Sequence, residues 1–392
     1  LSQIVSVTRF SLASLPQRLG SSASAMLGIA GVVAVMVGVL SIAQGIMTTM
    51  TGSTDNANVM VLRSGADTEM TSGLGGDDAR LITEAPGLAV EGDQVLASRE
   101  LFVIINLPLA STGTDANVPL RGIDATATRV RKGFEIVKGR MFQEGIAEVI
   151  VGAGASLEFA GMKLGDRIEV GNEQWPVVGI FEAGGSISES EVWTDARVLQ
   201  NAFRRGNSYQ SVHATLSSPD RFNEFKDALT SDPRLNVSVL TEAEYYAGQS
   251  QVLYNLITGL GTLIAFIMGL GAVFGALNTM YTAVSSRTRE IATLRALGFN
   301  SGPVIISVLA ESLLLALAGG LIGAGLAWLA FDGFRAATLN FASFSAITFA
   351  FDVNPPLLMT GIFFALVIGF FGGLFPAIRA ARTPVAHALR EQ

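Results

Sequence analysis

The chain has 392 residues, 49% of them apolar and 15% charged, with 43 glycines and a mean hydropathy of +0.46, a balance that points to a membrane protein with a sizeable aqueous part. It has no cysteine, which excludes disulfides, thiolate metal sites and cysteine nucleophiles. Its two histidines, His213 and His387, stand far apart with no HExxH pattern, which argues against a zinc enzyme.

The acidic total, a formal net charge of −7, is unevenly spread. Between Thr49 and Val252 there are 17 Lys and Arg against 28 Asp and Glu, a net of −11. Segments 1–24, 284–302 and 377–392 together hold 8 Arg against 2 Glu, a net of +6. Lys and Arg in short loops mark the cytoplasmic side, so both termini and 284–302 are expected in the cytoplasm and 49–252 outside. No cleavable leader is expected at the start, because its apolar run is too long and no small-residue cleavage pattern follows.

Residues 1–22 carry Ile4, Val7, Phe10 and Leu15 together with Arg9 and Arg18, the pattern of an amphipathic helix on the cytoplasmic interface. The first span is expected at 23–48, uncharged and long enough to cross. Along it Ser24, Gly31, Gly38 and Gly45 recur every seven residues. Such a stripe lets another helix approach closely, either from a second copy or from within one subunit.

Residues 49–252 read as one aqueous domain. Strands are expected at 59–63, within 88–107, at 118–124, 211–218 and 235–241. Helices are expected at 77–85 and at 219–232, the second with Pro219 in its first turn. Residues 139–186 alternate short strands with glycine turns around one short helix near Ala155. The order is βαβ at each end (49–99 and 206–252) around a β-rich insert (100–205), whose core takes Trp175 and Trp193.

From Thr241 to Gly302 there is no proline. A polar head runs into the second span, 253–283; a single helix of its first 40 or so residues would reach about 60 Å, twice the hydrocarbon thickness. A short basic segment, 284–302, follows. The third span is placed at 303–330 behind Pro303, with Trp328 suited to an interfacial belt. An outer loop at 331–356, a fourth span at 357–378 and a cytoplasmic tail at 379–392 complete the chain. The expected fold is thus four transmembrane helices plus an α+β extracytoplasmic domain.

In the basic segment Ile291, Leu294 and Leu297 share a helical face, and Arg287, Arg289, Glu290 and Arg295 supply the polar one. Ser286 and Thr288 stand at its start and Gly298 is a fitting stop. Taken alone, it reads as a positive-inside loop lying on lipid headgroups. Glu311, about two turns into the third span, is an acid in an apolar helix. It is read as a structural group near the cytoplasmic interface, bonded to Asn278 or to an Arg of the second span. Gly319–Gly323 and Gly369–Gly373 are small-xxx-small pairs that suit packing within the subunit. No G-x-x-x-x-G-K-[ST] loop occurs; GAGASLEFAG (152–161) and GGLIGAG (319–325) lack its lysine. No catalytic, cofactor or metal residue is assigned.

SSRTREIATLRALGF resembles the cytoplasmic signature of FtsX/MacB/LolC-type permeases of ABC transporters. Residues 139–181 resemble the extracytoplasmic domain of the MacB subgroup, and GGLFPAIRAARTPVAHALRE resembles that family's C-terminal motif. The resemblance implies an outer domain with a Porter half of two βαβ units and an inserted Sabre half. It also implies a coupling helix, matching Ser286–Leu297, that docks on a separate ATPase subunit holding ATP and Mg. The implied protein is a dimer, homodimeric rather than heterodimeric, in the bacterial cytoplasmic membrane among its lipids, with a periplasmic membrane-fusion adaptor as a further partner and no nucleic acid. Its implied work is mechanotransmission that exports or extracts an amphiphilic or peptide-like substrate. Two other readings are an FtsX-like module activating a cell-wall hydrolase and a LolC/LolE-like lipoprotein-releasing permease. The roughly 200-residue outer domain favours the first.

Overall fold

A computed structural model describes residues 19–51, 56–131, 133–296, 300–340 and 345–382. The interfacial helix expected at 1–22 lies almost wholly outside the described residues, as do Leu297, Gly298 and the tail beyond Arg382.

The chain enters on a long helix, α1 (Leu19–Thr51). Strand β1 (Asn58–Arg63), helix α2 (Gly76–Thr83) and strand β2 (Ala97–Pro108) follow. Next come β3 (Asp115–Ile123), α3 (Ala127–Val130), β4 (Phe134–Gly139), β5 (Val149–Gly152) and α4 (Ala153–Glu158). Strands β6 (Arg167–Val170), β7 (Glu173–Ala183) and β8 (Val192–Asp195) precede α5 (Ala196–Ala202). Then β9 (Ser211–Thr215), α6 (Phe222–Thr230) and β10 (Val237–Thr241) lead into α7 (Glu242–Ser285). Helices α8 (Thr288–Ala296) and α9 (Ser301–Phe331), strands β11 (Arg335–Asn340) and β12 (Ser345–Ala350), and helix α10 (Pro355–Arg382) finish it. Contacts divide the chain into two units, one of Gly45–Tyr254 with Arg335–Ala350, the other of Leu1–Gln44, Asn255–Phe334 and Phe351–Gln392.

The outer unit is built on a ten-stranded sheet in the order β10–β1–β9–β2–β3–β8–β5–β7–β4, with β6 also on β7. The two expected βαβ units, β1–α2–β2 and β9–α6–β10, interleave. Strand β9 lies antiparallel between β1 and β2, and β1 lies antiparallel between β9 and β10. The insert shares their sheet: β2 pairs with β9 through Ala97–Glu100 and with β3 through Leu101–Pro108. Two main cores fill the halves, one with Val61, Ile82 and Phe225, the other with Leu120, Val149 and Trp175. Trp193 and Phe181 sit in a third, smaller one.

The loop expected at 331–356 contains an antiparallel strand pair, β11–β12, that belongs to the outer unit. Ile347 and Phe349 are buried, and the Thr348 N–H donates to Ser190 Oγ at 2.9 Å. The Thr348 and Ser190 hydroxyls share a second bond of 2.9 Å. Thr348 Oγ1 lies where a side chain on residue 154 would project, so only glycine fits at Gly154.

In the membrane unit, four helices are long and apolar enough to cross a bilayer: Ala23–Thr51, Leu253–Ser285, Ser301–Phe331 and Pro355–Arg382. They contain all four expected spans. Without water between them, such helices associate by close van der Waals fit, which small residues permit. Gly319 and Gly323 approach the Met26 and Ala30 carbonyls of α1, while Gly369 and Gly373 of α10 meet Ala316 and Ser312 of α9. Both glycine pairs lie against other helices of the same chain. Along the seven-residue stripe of α1 the surroundings within the chain differ. Gly38 abuts the Phe331 ring and Gly45 is buried, whereas a side-chain carbon added at Gly31 would meet nothing within 4 Å. Helix α7 is unbroken for 44 residues, about 66 Å at 1.5 Å per residue. Its first eleven residues precede Leu253.

Candidate functional site

The basic segment forms a short helix, α8, after a two-residue turn at Ser286 and Arg287. The hydroxyls of Ser286 and Thr288 donate to the carbonyls of Ala283 and Ser285, satisfying the end of α7. Ile291 packs against a cluster that includes Met280, Val284 and Val308. Arg289 and Glu290 are exposed, and Arg295 is half-buried. Arg287 departs from the expected polar face. It is 7% exposed, and its Nη1 donates to Glu311 Oε2 at 3.0 Å. Glu311 thus takes its partner from the turn after the second span, while the side chain of Asn278 is exposed. Removing one member of a buried ion pair leaves the other charge uncompensated, which is why the two belong together.

The outer unit holds a second charged constellation that the sequence pattern did not single out. Arg121 on β3 is 1% exposed and touches three carboxylates. Its Nη1 and Nη2 donate to Glu69 at 2.6 and 2.9 Å, and its Nε and Nη2 donate to Glu191 at 2.8 and 2.7 Å. Nη1 also reaches Glu100 at 2.9 Å, and Arg131 clasps Glu100 through two bonds of 2.6 Å. Ser211 donates to Glu69, Trp193 Nε1 to Glu191, and His213 Nε2 lies 3.4 Å from Glu69. The guanidinium of Arg121 stands over the Phe102 ring and that of Arg131 over Trp193. Planar, bidentate pairing of this kind is what arginine geometry favours in a dry interior.

These contacts control ionisation. Burial works against the Glu69 carboxylate, but the charge of Arg121 and the bonds from His213 and Arg121 outweigh it and hold its carboxyl well below the usual range. Burial likewise opposes the Glu100 carboxylate, yet Arg131, with His213 and Arg121, brings it down to about 2. On α7, burial pushes the Tyr245 hydroxyl far above its ordinary value, with the Glu69 charge adding to the effect. That hydroxyl accepts the Glu69 backbone N–H at 3.0 Å. Glu242, one turn earlier, accepts from Asn58 of β1 at 3.0 Å, and Gln249 accepts from Asn340 of β11 at 3.2 Å. The root of α7 is therefore bound to several parts of the outer unit by directional bonds.

Glu69, Glu100 and His213 place three donor atoms within 4.8 Å of one another. The donor set does not fit a metal ion: two guanidiniums already occupy the carboxylates and would repel a further cation. A cavity of about 20 Å³ against Arg121 and Tyr245 has room for roughly one water molecule. The cluster is a fastening. Its sequence signal is an ionisable residue inside an otherwise buried strand, as with Arg121 in VPLRGI and Glu100 in RELFV.

The sequence matches the family described as MacB-like periplasmic core domain over residues 22–232, and FtsX-like permease C-terminal over residues 262–385. It is 24% identical over 239 residues to the uncharacterized ABC transporter permease YknZ of Bacillus subtilis, covering 58% of this chain and 57% of that one. It is 25% identical over 340 residues to the pyoverdine export ATP-binding/permease protein PvdT of Pseudomonas entomophila, covering 80% of this chain and 50% of that one. It is 26% identical over 297 residues to the macrolide export ATP-binding/permease protein MacB of Bdellovibrio bacteriovorus, covering 70% and 44%. The chain therefore spans about half the length of these relatives. Among solved structures, the periplasmic region of MacB from Actinobacillus actinomycetemcomitans aligns at a TM-score of 0.38 and 13% identity, covering 52% of this chain and 95% of that one.

Proposed function

Because the chain belongs to the MacB/FtsX-type family of ABC transporter permeases, we propose that it relays ATP-driven motion of a separate ATPase subunit to its outer unit, so as to move an amphiphilic or peptide-like substrate on the outer side. The observation that carries this reading is α7. One helix runs without a break from the bonds at Glu242 and Tyr245 to the turn that leads into α8. Sharp kinks sit most often at proline, and α7 contains none. Strands β11 and β12 provide a second link, since they belong to the outer unit and join α9 and α10 by short connections.

In this reading the segment Ser286–Leu297 is the coupling helix, and the exposed Arg289 and Glu290 of α8 lead the surface that meets the ATPase, while Ile291 holds α8 on its own chain. ATP and Mg belong to that subunit. Arg287 acts by fixing the start of α8 against Glu311. The protein works as a homodimer in the bacterial cytoplasmic membrane with both termini inside, in accord with the arginine distribution. A membrane-fusion adaptor is its outer partner. The export named for two relatives supports the outward direction.

The test is the double variant Arg289→Ala/Glu290→Ala, in membranes reconstituted with the ATPase subunit. ATP hydrolysis is expected to continue while transport stops, and the variant is expected to insert normally. Transport at the unaltered rate overturns the coupling role.

A further inference from the structure

The outer unit also contains an open cleft of about 1060 Å³, at the upper end of the size range of small-molecule sites. One wall is apolar: Phe134 and Ile136 on β4, followed by Met141 and Phe142. Phe134, Ile136 and Met141 are only half-buried, so their apolar surface faces the cleft. The wall is stiff, because the Phe134 ring stacks on Trp193 at 5.5 Å and lies 5.4 Å from Phe181.

The charge around this wall is unequal, with acid in excess. Glu84, Asp124, Glu144 and Asp195 line the cleft against Arg99 and Arg197, four carboxylates to two guanidiniums. Arg99 is bound to Asp124 at 2.7 Å and Asp195 accepts the backbone N–H groups of Gly145, Arg197 and Val198, while Glu144 and Arg197 are exposed at the rim. The excess of acid in the cleft accords with the net −11 of residues 49–252. A cleft with an excess of one sign of charge favours the opposite ion, and aromatic faces attract cations further. An apolar body therefore finds the wall, a positive group finds the rim, and an anion of the same shape meets repulsion.

We propose that this cleft binds a cationic amphiphile. The proposal names the substrate class of the outer unit and so rests on the transport reading above. The cleft also borders the fastening at the root of α7. Trp193, under the Phe134 ring, donates to Glu191 at 2.7 Å; Glu191 holds Arg121, Arg121 holds Glu69, and the Glu69 N–H is bound by Tyr245 of α7. A ligand seated on Phe134 thus touches a chain of direct contacts that ends on the long helix.

The experiment uses the full chain in lipid nanodiscs, without ATPase or nucleotide. Two probes of the same shape and opposite charge are compared, tetraphenylphosphonium and tetraphenylborate, with tryptophan emission as the readout and empty nanodiscs subtracted. The phosphonium is expected to change the emission saturably and to bind at least about tenfold more tightly than the borate. Glu144→Lys, on an exposed side chain, is expected to weaken phosphonium binding about fivefold or more while leaving the melting temperature in place. Met141→Arg is expected to abolish it. Equal binding of the two probes, or phosphonium binding untouched by Glu144→Lys, overturns the proposal. Such a failure alongside intact uncoupling by Arg289→Ala/Glu290→Ala removes the cleft and leaves the permease; the reverse pattern removes the coupling and leaves the cleft.

Discussion

The two units of this protein solve the problem of holding position with opposite chemistry. In the outer unit, a core of apolar strands encloses Arg121, Arg131 and three glutamates, every carboxylate of which is hydrogen-bonded. In the membrane unit, α1, α9 and α10 are held by backbone approach at Gly319, Gly323, Gly369 and Gly373, with the Arg287–Glu311 ion pair at the turn after α7. Charge networks fix direction as well as distance, because each bond has an angle. Glycine contacts fix distance alone. The proposed relay would use the first at the root of α7 and the second where helices cross the lipid.

The comparison is most exposed at Arg121. Replacing it with Leu takes the arginine away from the buried Glu69 and Glu191 carboxylates, and the outer unit is expected to lose about 3–5 kcal/mol, read by denaturant unfolding followed through Trp175 and Trp193. A loss below about 1 kcal/mol would show that the cluster is not the grip. Acid sharpens the same contrast. Glu69 and Glu100 titrate below their ordinary value of 4.5 in the folded chain, so their contribution is complete above that pH and is lost as the pH falls towards about 2. The near-ultraviolet signal of the outer unit is expected to fade in that window while the helical far-ultraviolet signal of the membrane unit persists.

In the membrane unit, Gly323→Leu forces a side chain against the Ala30 carbonyl and is expected to cost about 1–3 kcal/mol, seen as a lower Tm. Gly31→Ala on α1, with nothing within 4 Å, is its control and leaves Tm essentially unchanged. The smallest effect is expected at the β11–β12 pair. Thr348→Val removes a hydroxyl bond to Ser190 and costs about 1 kcal/mol, detectable as faster amide exchange in β12.

Much of this was legible from residues alone where a pattern repeats. The four spans were visible because hydrocarbon thickness demands about 20 apolar residues in a row. Both βαβ units were visible in the alternation of strands and amphipathic helices. Strand β2 was harder: its twelve residues serve both halves, and a run such as ASRELFVIINLP carries no mark of where one partner strand ends and another begins. The Arg287–Glu311 pair was half legible. An acid in a span calls for a partner, but which cation answers depends on how the turn at Ser286 and Arg287 folds back.

Length, hydropathy and charge decided by themselves that this chain crosses a membrane four times, that it carries an acidic domain between the first two crossings, and that α7 has no proline to break it. These properties follow from local sums and local periodicity. The ion cluster, the docking of β11–β12 and the acidic, aromatic cleft came only with the tertiary structure. Glu69, Glu100, Arg121, Glu191 and His213 are spread over 145 residues of sequence, and only the interleaved sheet brings their side chains within a hydrogen bond of one another. A sequence lists the charges; the register of strands decides which of them are buried together.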